Sequence, residues 1–286
     1  MKNRITFFLT ALFFLQGCIQ TIAIRTMSGI MDNGFRAYFR ESDLDFAREG
    51  LAGNLKLVEA LVDGDPENEH LLLLAAQGYG SYALAFAEDD SVERARDFYL
   101  RGRDYGLRIL RQNRSLDEGL EKDLRTFEKA LAGLSREDVP SVFWTAFCWG
   151  GYINISRSDL EAMADLSRVL AMMQFVARED PAFYYAGAHL FLGAINGSIP
   201  PMLGGKPALA KEHFEKAREL NGGGFLMTYV YYAKTYAVQV QDQELFESLV
   251  KRVEDASIDI LPDARLPNAV AKRKAALLRA QIPELF

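Results

Sequence analysis

Apolar residues along most of the chain recur at spacings of three and four, with charged residues between them. The segment 91–110, SVERARDFYLRGRDYGLRIL, places its apolar side chains on one stripe, and the segment 115–134, SLDEGLEKDLRTFEKALAGL, does the same. That period is typical of an amphipathic helix, not of a strand, whose apolar and polar residues alternate. The pattern predicts an all-α chain of about eleven helices of roughly 14 to 22 residues, joined by short turns rich in Gly, Pro and Asp.

The predicted helices fall into pairs that share one spacing of small and large residues. The register positions are Ala233, Tyr236, Leu245, Leu249 and Arg252 in the last pair; Gly150, Ile153, Ala162, Leu166 and Val169; Gly193, Ala210, Phe214 and Ala217; and Ala76, Tyr79, Ala95, Tyr99 and Gly102. This spacing resembles the tetratricopeptide repeat, with about four degenerate helix pairs plus extra terminal helices. Because two pairs need insertions, an all-helical bundle with accidental spacing is the alternative.

One insertion, IPPMLGGKPALAK at residues 199–211, contains a Gly-Gly-Lys that could cradle a phosphate. A Walker-type loop needs Gly, four residues, Gly-Lys and then Ser or Thr after a strand. Here Pro200 stands in place of the first glycine and Pro207 in place of the hydroxyl residue, and the preceding segment is helical in pattern. Since proline suits the first turn of a helix, the stretch is predicted to be a turn, with an anion site as the alternative.

The N-terminus, MKNRITFFLTALFFLQGC, has two cations, an apolar run too short to span a bilayer, and Leu-Gln-Gly-Cys. The last four residues resemble a bacterial lipobox, which implies cleavage before Cys18 and its acylation; an ordinary signal peptide is the alternative. Ile19 does not match an inner-membrane retention signal, so we expect a periplasmic protein anchored to the outer membrane. The predicted organisation is a signal peptide at 1–17, a lipidated tether and lead-in at 18–42, and a helical-repeat domain at 43–286.

Composition narrows the classes of partner. The chain has 33 cationic and 39 acidic residues, and removing Lys2 and Arg4 with the signal leaves 31 against 39, a net charge of −8. No basic stripe stands out, which argues against nucleic acid, and no later stretch is long and apolar enough for a second membrane span. If Cys18 is acylated, Cys148 is the one remaining cysteine, and its aromatic neighbours predict a buried small side chain instead of a nucleophile.

Catalytic chemistry finds no support in the sequence. The three histidines, His70, His189 and His213, fall on different predicted helices, and His213 is expected on the solvent-facing side of its helix. No metalloprotease, nucleophile-elbow or dinucleotide motif occurs. We therefore expect no enzyme, no metal and no cofactor.

Four segments carry a resemblance to a known family: FCWGGYINISRSD, MLGGKPALAKEHFEKAREL, GFLMTYVYYAKTYAVQVQDQELFESLV and RLPNAVAKRKAALL. Together with the lipobox and the paired helices, they resemble the T-component of TRAP transporters, periplasmic lipoproteins with degenerate tetratricopeptide repeats. The resemblance covers most of the second half of the chain. It implies a homotrimer, association with the substrate-binding P-component, and help in delivering a small hydrophobic or organic-acid ligand to an ion-coupled importer.

In a tetratricopeptide stack the first helix of each pair lines a concave groove, and the register positions predict which residues face it. The candidate ligand-binding residues are Trp144, Phe147, Gly151, Asn154, Leu190, Ala194, Met227, Val230, Lys234 and Gln77. The set is mainly apolar with a few polar points, as in small-molecule pockets; ordinary core packing is the alternative for its large members. The competing function is a repeat scaffold for outer-membrane assembly or peptide binding that holds no small ligand.

Overall fold

The computed structural model of the protein describes residues 29–286, so the predicted signal peptide and Cys18 lie outside the described residues. Within that range the regular elements are helices and turns, without a strand, which confirms the all-α class. The helices are α1 (29–39), α2 (Leu44–Gly64), α3 (Glu69–Tyr82), α4 (Val92–Leu110), α5 (Arg114–Leu120), α6 (Leu124–Leu131), α7 (Val139–Ile155), α8 (Leu160–Ala164), α9 (Leu166–Glu179), α10 (Phe183–Ser198), α11 (Pro207–Leu220), α12 (Met227–Tyr231), α13 (Gln243–Asp255), α14 (Arg265–Ala280) and α15 (Ile282–Leu285).

The segment 115–134 is not the single helix that its apolar period predicts. It forms α5 and α6, which a turn at 121–123 separates. Asp123 N-caps α6, because its carboxylate accepts a hydrogen bond from the backbone N–H of Thr126 at 3.1 Å. A side chain that caps a new helix competes with continuation of the old one. The apolar period survives the break, since Leu116 and Phe127 are both buried.

The four predicted helix pairs correspond to α3–α4, α7–α9, α10–α11 and α12–α13, and the members of each pair are in contact. Small residues let the helices approach closely. A Cβ atom added at Gly193 would lie 3.2 Å from the ring of Phe214, and one at Gly150 would lie 2.4 Å from the ring of Phe191. This nesting agrees with the predicted repeat scheme, while the tetratricopeptide stacking of the pairs stays a prediction.

Cys148 is one such nested side chain, on α7. It is fully buried and its Sγ lies 3.4 Å from the carbonyl oxygen of Ala76, to which it donates. A Cβ atom at Gly80 or at Gly102 would come within 2.7 or 2.6 Å of that sulfur. Burial raises the pKa of the thiol, which disfavours the thiolate. The prediction of a buried small side chain is confirmed.

The stretch 199–211 is a turn between α10 and α11. Gly204 has a φ of +94°, and a Cβ at Gly205 would lie 1.7 Å from the carbonyl oxygen of Ile199. The backbone N–H of Lys206 donates to the carbonyl of Asn196 at 3.2 Å, so this donor is already used. α11 begins at Pro207, in the first-turn position that the sequence predicts.

The end of the predicted lead-in is itself a helix, α1, and it packs on the domain. Met31 and Phe35 are each only 7% exposed and belong to the same core as α2 and α3. The hydroxyl of Tyr38 accepts a hydrogen bond from the side-chain amide of Asn54 at 2.6 Å, which fixes α1 against α2.

Candidate functional site

A cavity of about 430 Å³ lies among α1, α3, α7, α10, α12 and α14. Its lining is mainly aromatic and aliphatic, and the volume falls in the range of about 300–1,000 Å³ typical of small-molecule sites. Both α3 and α12 continue into a π turn, at Ala83–Ala87 and Tyr232–Ala237, and residues of both turns line the cavity. Turns of this kind are frequent at functional sites, because the extra residue per turn opens space along a helix.

Seven of the ten residues predicted for the groove line this one cavity. They are Phe147, Gly151 and Asn154 on α7, Leu190 and Ala194 on α10, and Met227 and Lys234 on α12 and its π turn. The structure therefore brings three of the predicted first helices together around a common space.

The other three predicted residues lie elsewhere. Trp144 and Val230 are core residues, 3% and 2% exposed, and neither lines the cavity. The indole of Trp144 packs edge-on against the rings of Phe147 and Tyr184, with centroids 5.3 and 4.7 Å apart, so it supports the wall from behind. Gln77 borders a second, more open cavity of about 790 Å³.

No sequence pattern predicted the residues that separate this cavity from the second one. Phe35 and Phe39 on α1 line both cavities and lie between them, as does Tyr184 on α10. α1 lies outside the repeat register, so no spacing pointed to it. The only available signal was the apolar stripe of Met31 and Phe35 within the predicted lead-in.

Tyr184 occupies this position because the backbone reverses its handedness there. Tyr184, Tyr185 and Ala186 have φ angles of 45°, 59° and 63°, in the left-handed region. Such a conformation costs roughly 1–2 kcal/mol for each residue other than glycine, and strain of this kind concentrates at ligand and switch sites. The turn holds the Tyr184 ring between Trp144 and Phe225, at centroid distances of 4.7 and 6.1 Å.

Another part of the lining, at its exposed edge, is polar. The Arg157 guanidinium donates to the Asn154 side-chain oxygen at 2.5 Å and to the Ser198 hydroxyl at 3.3 Å, and both partners also line the cavity. Lys234 and Thr235 come from the π turn after α12. Arg157 and Lys234 are exposed, so this edge is the mouth of the cavity.

Glu88 brings a carboxylate to the lining, and its charge is compensated from outside. It accepts a hydrogen bond from the Tyr99 hydroxyl at 2.7 Å and an ion pair from Lys274 of α14 at 3.3 Å. Tyr99 is fully buried. Burial, and to a smaller extent the nearby Glu88 charge, raises the pKa of its phenol, so the hydroxyl stays protonated and donates. The lining around Glu88 therefore contributes little net charge.

Two histidines form a pair away from the cavity lining. The rings of His189 on α10 and His213 on α11 face each other and are half-buried, so the expectation that His213 lies on the solvent-facing side was wrong. The His213 ring lies in the contact between α10 and α11 instead, facing His189. Across residues 29–286, no three His, Cys, Asp or Glu side chains converge in an arrangement able to hold a metal ion.

Three further observations bear on the setting of this cavity. Among the described residues, no helix has the length and apolar character needed to cross a membrane. A family model described as TRAP transporter T-component matches residues 40–286, which include all of the cavity lining except that from α1. A protein of Treponema pallidum (strain Nichols), named only as uncharacterized, is 22% identical to this chain over 270 residues, or 88% of this chain and 83% of the relative.

Proposed function

The chain belongs to the TRAP transporter T-component family, and we propose that it serves a tripartite ATP-independent periplasmic transport system by holding or relaying a small organic ligand in its cavity. The family is one of transporter accessory proteins. The observation that carries the proposal is the cavity of about 430 Å³, closed by aromatic rings at one end and open at the other. A packed interior normally leaves few voids larger than a water molecule, so a space of this size with an apolar lining favours an apolar occupant.

Close packing at two glycines supports the walls of the cavity. A Cβ atom added at Gly151 would lie 2.4 Å from the Tyr99 ring, and one at Gly187 would lie 2.6 Å from the Phe143 ring. At these two glycines the packed helices are thus already at close approach, which opposes collapse of the cavity. This supports a preformed site for the ligand.

We also propose that the protein docks the substrate-binding P-component, that it assembles as a homotrimer, and that a lipid on Cys18 holds it at the periplasmic face of the outer membrane. Family membership supports the first two, and the lipobox-like sequence supports the third. Two or three acyl chains, at about 0.8 kcal/mol per buried methylene, would anchor the chain stably without a spanning helix.

The ligand proposal is tested by native mass spectrometry of the protein purified from its own membranes. Wild type is expected to retain an organic molecule, and Ala194→Phe, which fills the cavity from α10, is expected to lose it. Ala132→Phe is the matched control, because Ala132 is exposed and distant from the lining. An Ala194→Phe protein with an unchanged circular dichroism spectrum and full ligand retention would contradict the proposal, and an empty wild type would favour the scaffold function.

Docking and anchoring have their own tests. The full chain is expected to capture its P-component in a pull-down and to run as a trimer in light scattering. Cys18→Ser is expected to abolish incorporation of a labelled fatty acid and to release the protein from the outer-membrane fraction. Labelled fatty acid that persisted in Cys18→Ser would contradict the anchor.

A further inference from the structure

We propose that Arg157 and Lys234 bind the anionic head group of a single-chain amphiphile whose apolar tail fills the cavity. The inference rests on the proposed function, since it assigns a chemical class to the ligand of the same cavity. It is carried by the position of the two cations, by their lack of carboxylate partners, and by the change of polarity along the lining.

Arg157 and Lys234 lie at the same end of the cavity although 77 positions separate them in the sequence. Arg157 reaches the hydroxyl of Ser198, the last residue of α10. The neighbouring Gly197 packs on the next unit, where an added Cβ would lie 3.3 Å from the hydroxyl of Thr235. Because Lys234 precedes Thr235 in the same π turn, the end of α10 brings both cations to one mouth.

Neither cation has an acidic partner within residues 29–286. The hydrogen bonds of Arg157 go to two neutral groups, on Asn154 and Ser198, and Lys234 forms no ion pair in that range. Many other cations within residues 29–286 do form ion pairs; Arg218 with Glu215 at 2.8 Å is an example. Burial of part of the side chain lowers the pKa of the Arg157 guanidinium from its usual value, although the residue is exposed at the rim. An unpaired cation at the rim of an apolar space is a site that an anion stabilises.

The charge balance of the lining favours an anion as well. Glu88 is the one carboxylate among the described lining residues, and Tyr99 and Lys274 already hold it. A cationic head group would meet two like charges at the mouth. A neutral ligand would leave Arg157 partly desolvated with no opposite charge.

The arrangement also fixes the orientation of the ligand. The closed end is lined by buried apolar side chains such as Phe35, Leu51 and Phe225, which are 7%, 3% and 4% exposed. An apolar chain gains free energy there in proportion to the area that it removes from water. The two basic side chains of the lining, Arg157 and Lys234, lie instead at the mouth. A single tail pointing toward α1 with its charged head at Arg157 and Lys234 satisfies both ends at once.

The experiment measures binding of labelled decanoate, 1-decanol and decyltrimethylammonium by equilibrium dialysis. The full chain is held in phosphatidylcholine nanodiscs, and binding to empty nanodiscs is subtracted. Decanoate is expected to bind at least about tenfold more tightly than decanol, since hydrogen bonds between charged groups are stronger than those between neutral groups. The double variant Arg157→Gln, Lys234→Gln is expected to weaken decanoate binding by about the same tenfold factor. Its affinity for decanol is expected to stay unchanged. Lys251→Gln, at an exposed cation paired with Asp255 outside the lining, is expected to change neither.

The outcomes distinguish the anionic head group from the ligand cavity itself. Equal binding of decanoate and decanol, or decanoate binding that the double variant leaves intact, overturns the anionic head group while the proposed ligand cavity stands. Failure of all three probes to bind overturns both. If lysophosphatidylglycerol placed in the nanodiscs displaces decanoate, the anionic head group belongs to a membrane lipid. If it does not displace decanoate, the head group belongs to a soluble organic anion. Both results agree with an anionic ligand at Arg157 and Lys234.

Discussion

The Nδ1 atoms of His189 and His213 lie 3.0 Å apart in the contact between α10 and α11. At that distance one ring donates and the other accepts, so the accepting ring must be neutral and a second proton on the pair would remove the hydrogen bond. Burial, then the neighbouring His213 and Lys216, lowers the pKa of His189 to about 4. Burial also lowers the pKa of His213, against a smaller opposing effect of Glu212.

This pair predicts that the protein loses stability in mild acid. Between about pH 6.5 and 4 the unfolded chain binds more protons at these positions than the folded one, so the free energy of unfolding falls as the pH falls through this range. The contribution is fully present above about pH 6.5. Because the rings are only half-buried, we expect a loss of about 1–2 kcal/mol. Urea unfolding at a series of pH values measures it. His189→Gln with His213→Gln should flatten the profile, and a slope unchanged in that variant would contradict the assignment.

Gly102 and Gly53 give a matched pair of substitutions. In Gly102→Ala the new methyl group would lie 2.6 Å from Sγ of Cys148, and overpacking of this kind costs about 1–3 kcal/mol. Gly53 lies on the exposed side of α2 with no heavy atom within 4 Å of an added Cβ, so Gly53→Ala should stabilise the protein by about 0.5–1 kcal/mol. Chemical denaturation compares the two. Adding Cys148→Ala to Gly102→Ala should recover part of the loss, and an equal effect of both single changes would argue against the close packing of α4 on α7.

Lys274 is predicted to stabilise the carboxylates of Glu88 and Asp89, the second of which also pairs with Arg273 at 2.8 Å. Its Nζ lies 3.3 Å from Glu88 and 3.0 Å from Asp89, and its side chain is only 11% exposed. Lys274→Met leaves a half-buried carboxylate without its partner and should cost about 2–4 kcal/mol. Lys251→Met, which removes an exposed pair with Asp255, should cost less than about 1 kcal/mol. Melting temperatures of the two variants test this, and Glu88→Gln added to Lys274→Met should restore part of the loss.

The sequence predicted the helical class and the positions of the paired helices because apolar spacing is a local property. It also placed Phe147, Leu190 and Lys234 around one space, since one register applies to the first helix of each pair. It could not reveal α1 as a wall of the cavity, because that contact joins the lead-in to the domain without any repeat. Nor could it reveal the left-handed turn at Tyr184, which tertiary packing imposes on residues that ordinarily favour a right-handed helix.

The placement of Trp144 behind the wall yields a prediction that separates support from lining. Helical spacing puts Trp144 and Phe147 on one stripe, but only Phe147 reaches the cavity. Trp144→Ala should cost about 3–5 kcal/mol of stability, because it leaves a void in a packed core. Phe147→Leu should cost less than about 1.5 kcal/mol and act mainly on ligand retention. Unfolding curves together with mass spectrometry distinguish these effects, and a Trp144→Ala protein of unchanged stability would contradict the core assignment.

The most direct test of the central claim is an experimental structure of the protein purified from its own membranes without added ligand. We expect electron density for an elongated molecule in the space bounded by Phe147, Leu190 and Phe35, with its polar end at Arg157 and Lys234. The same space filled by the protein's own side chains in every copy would contradict it.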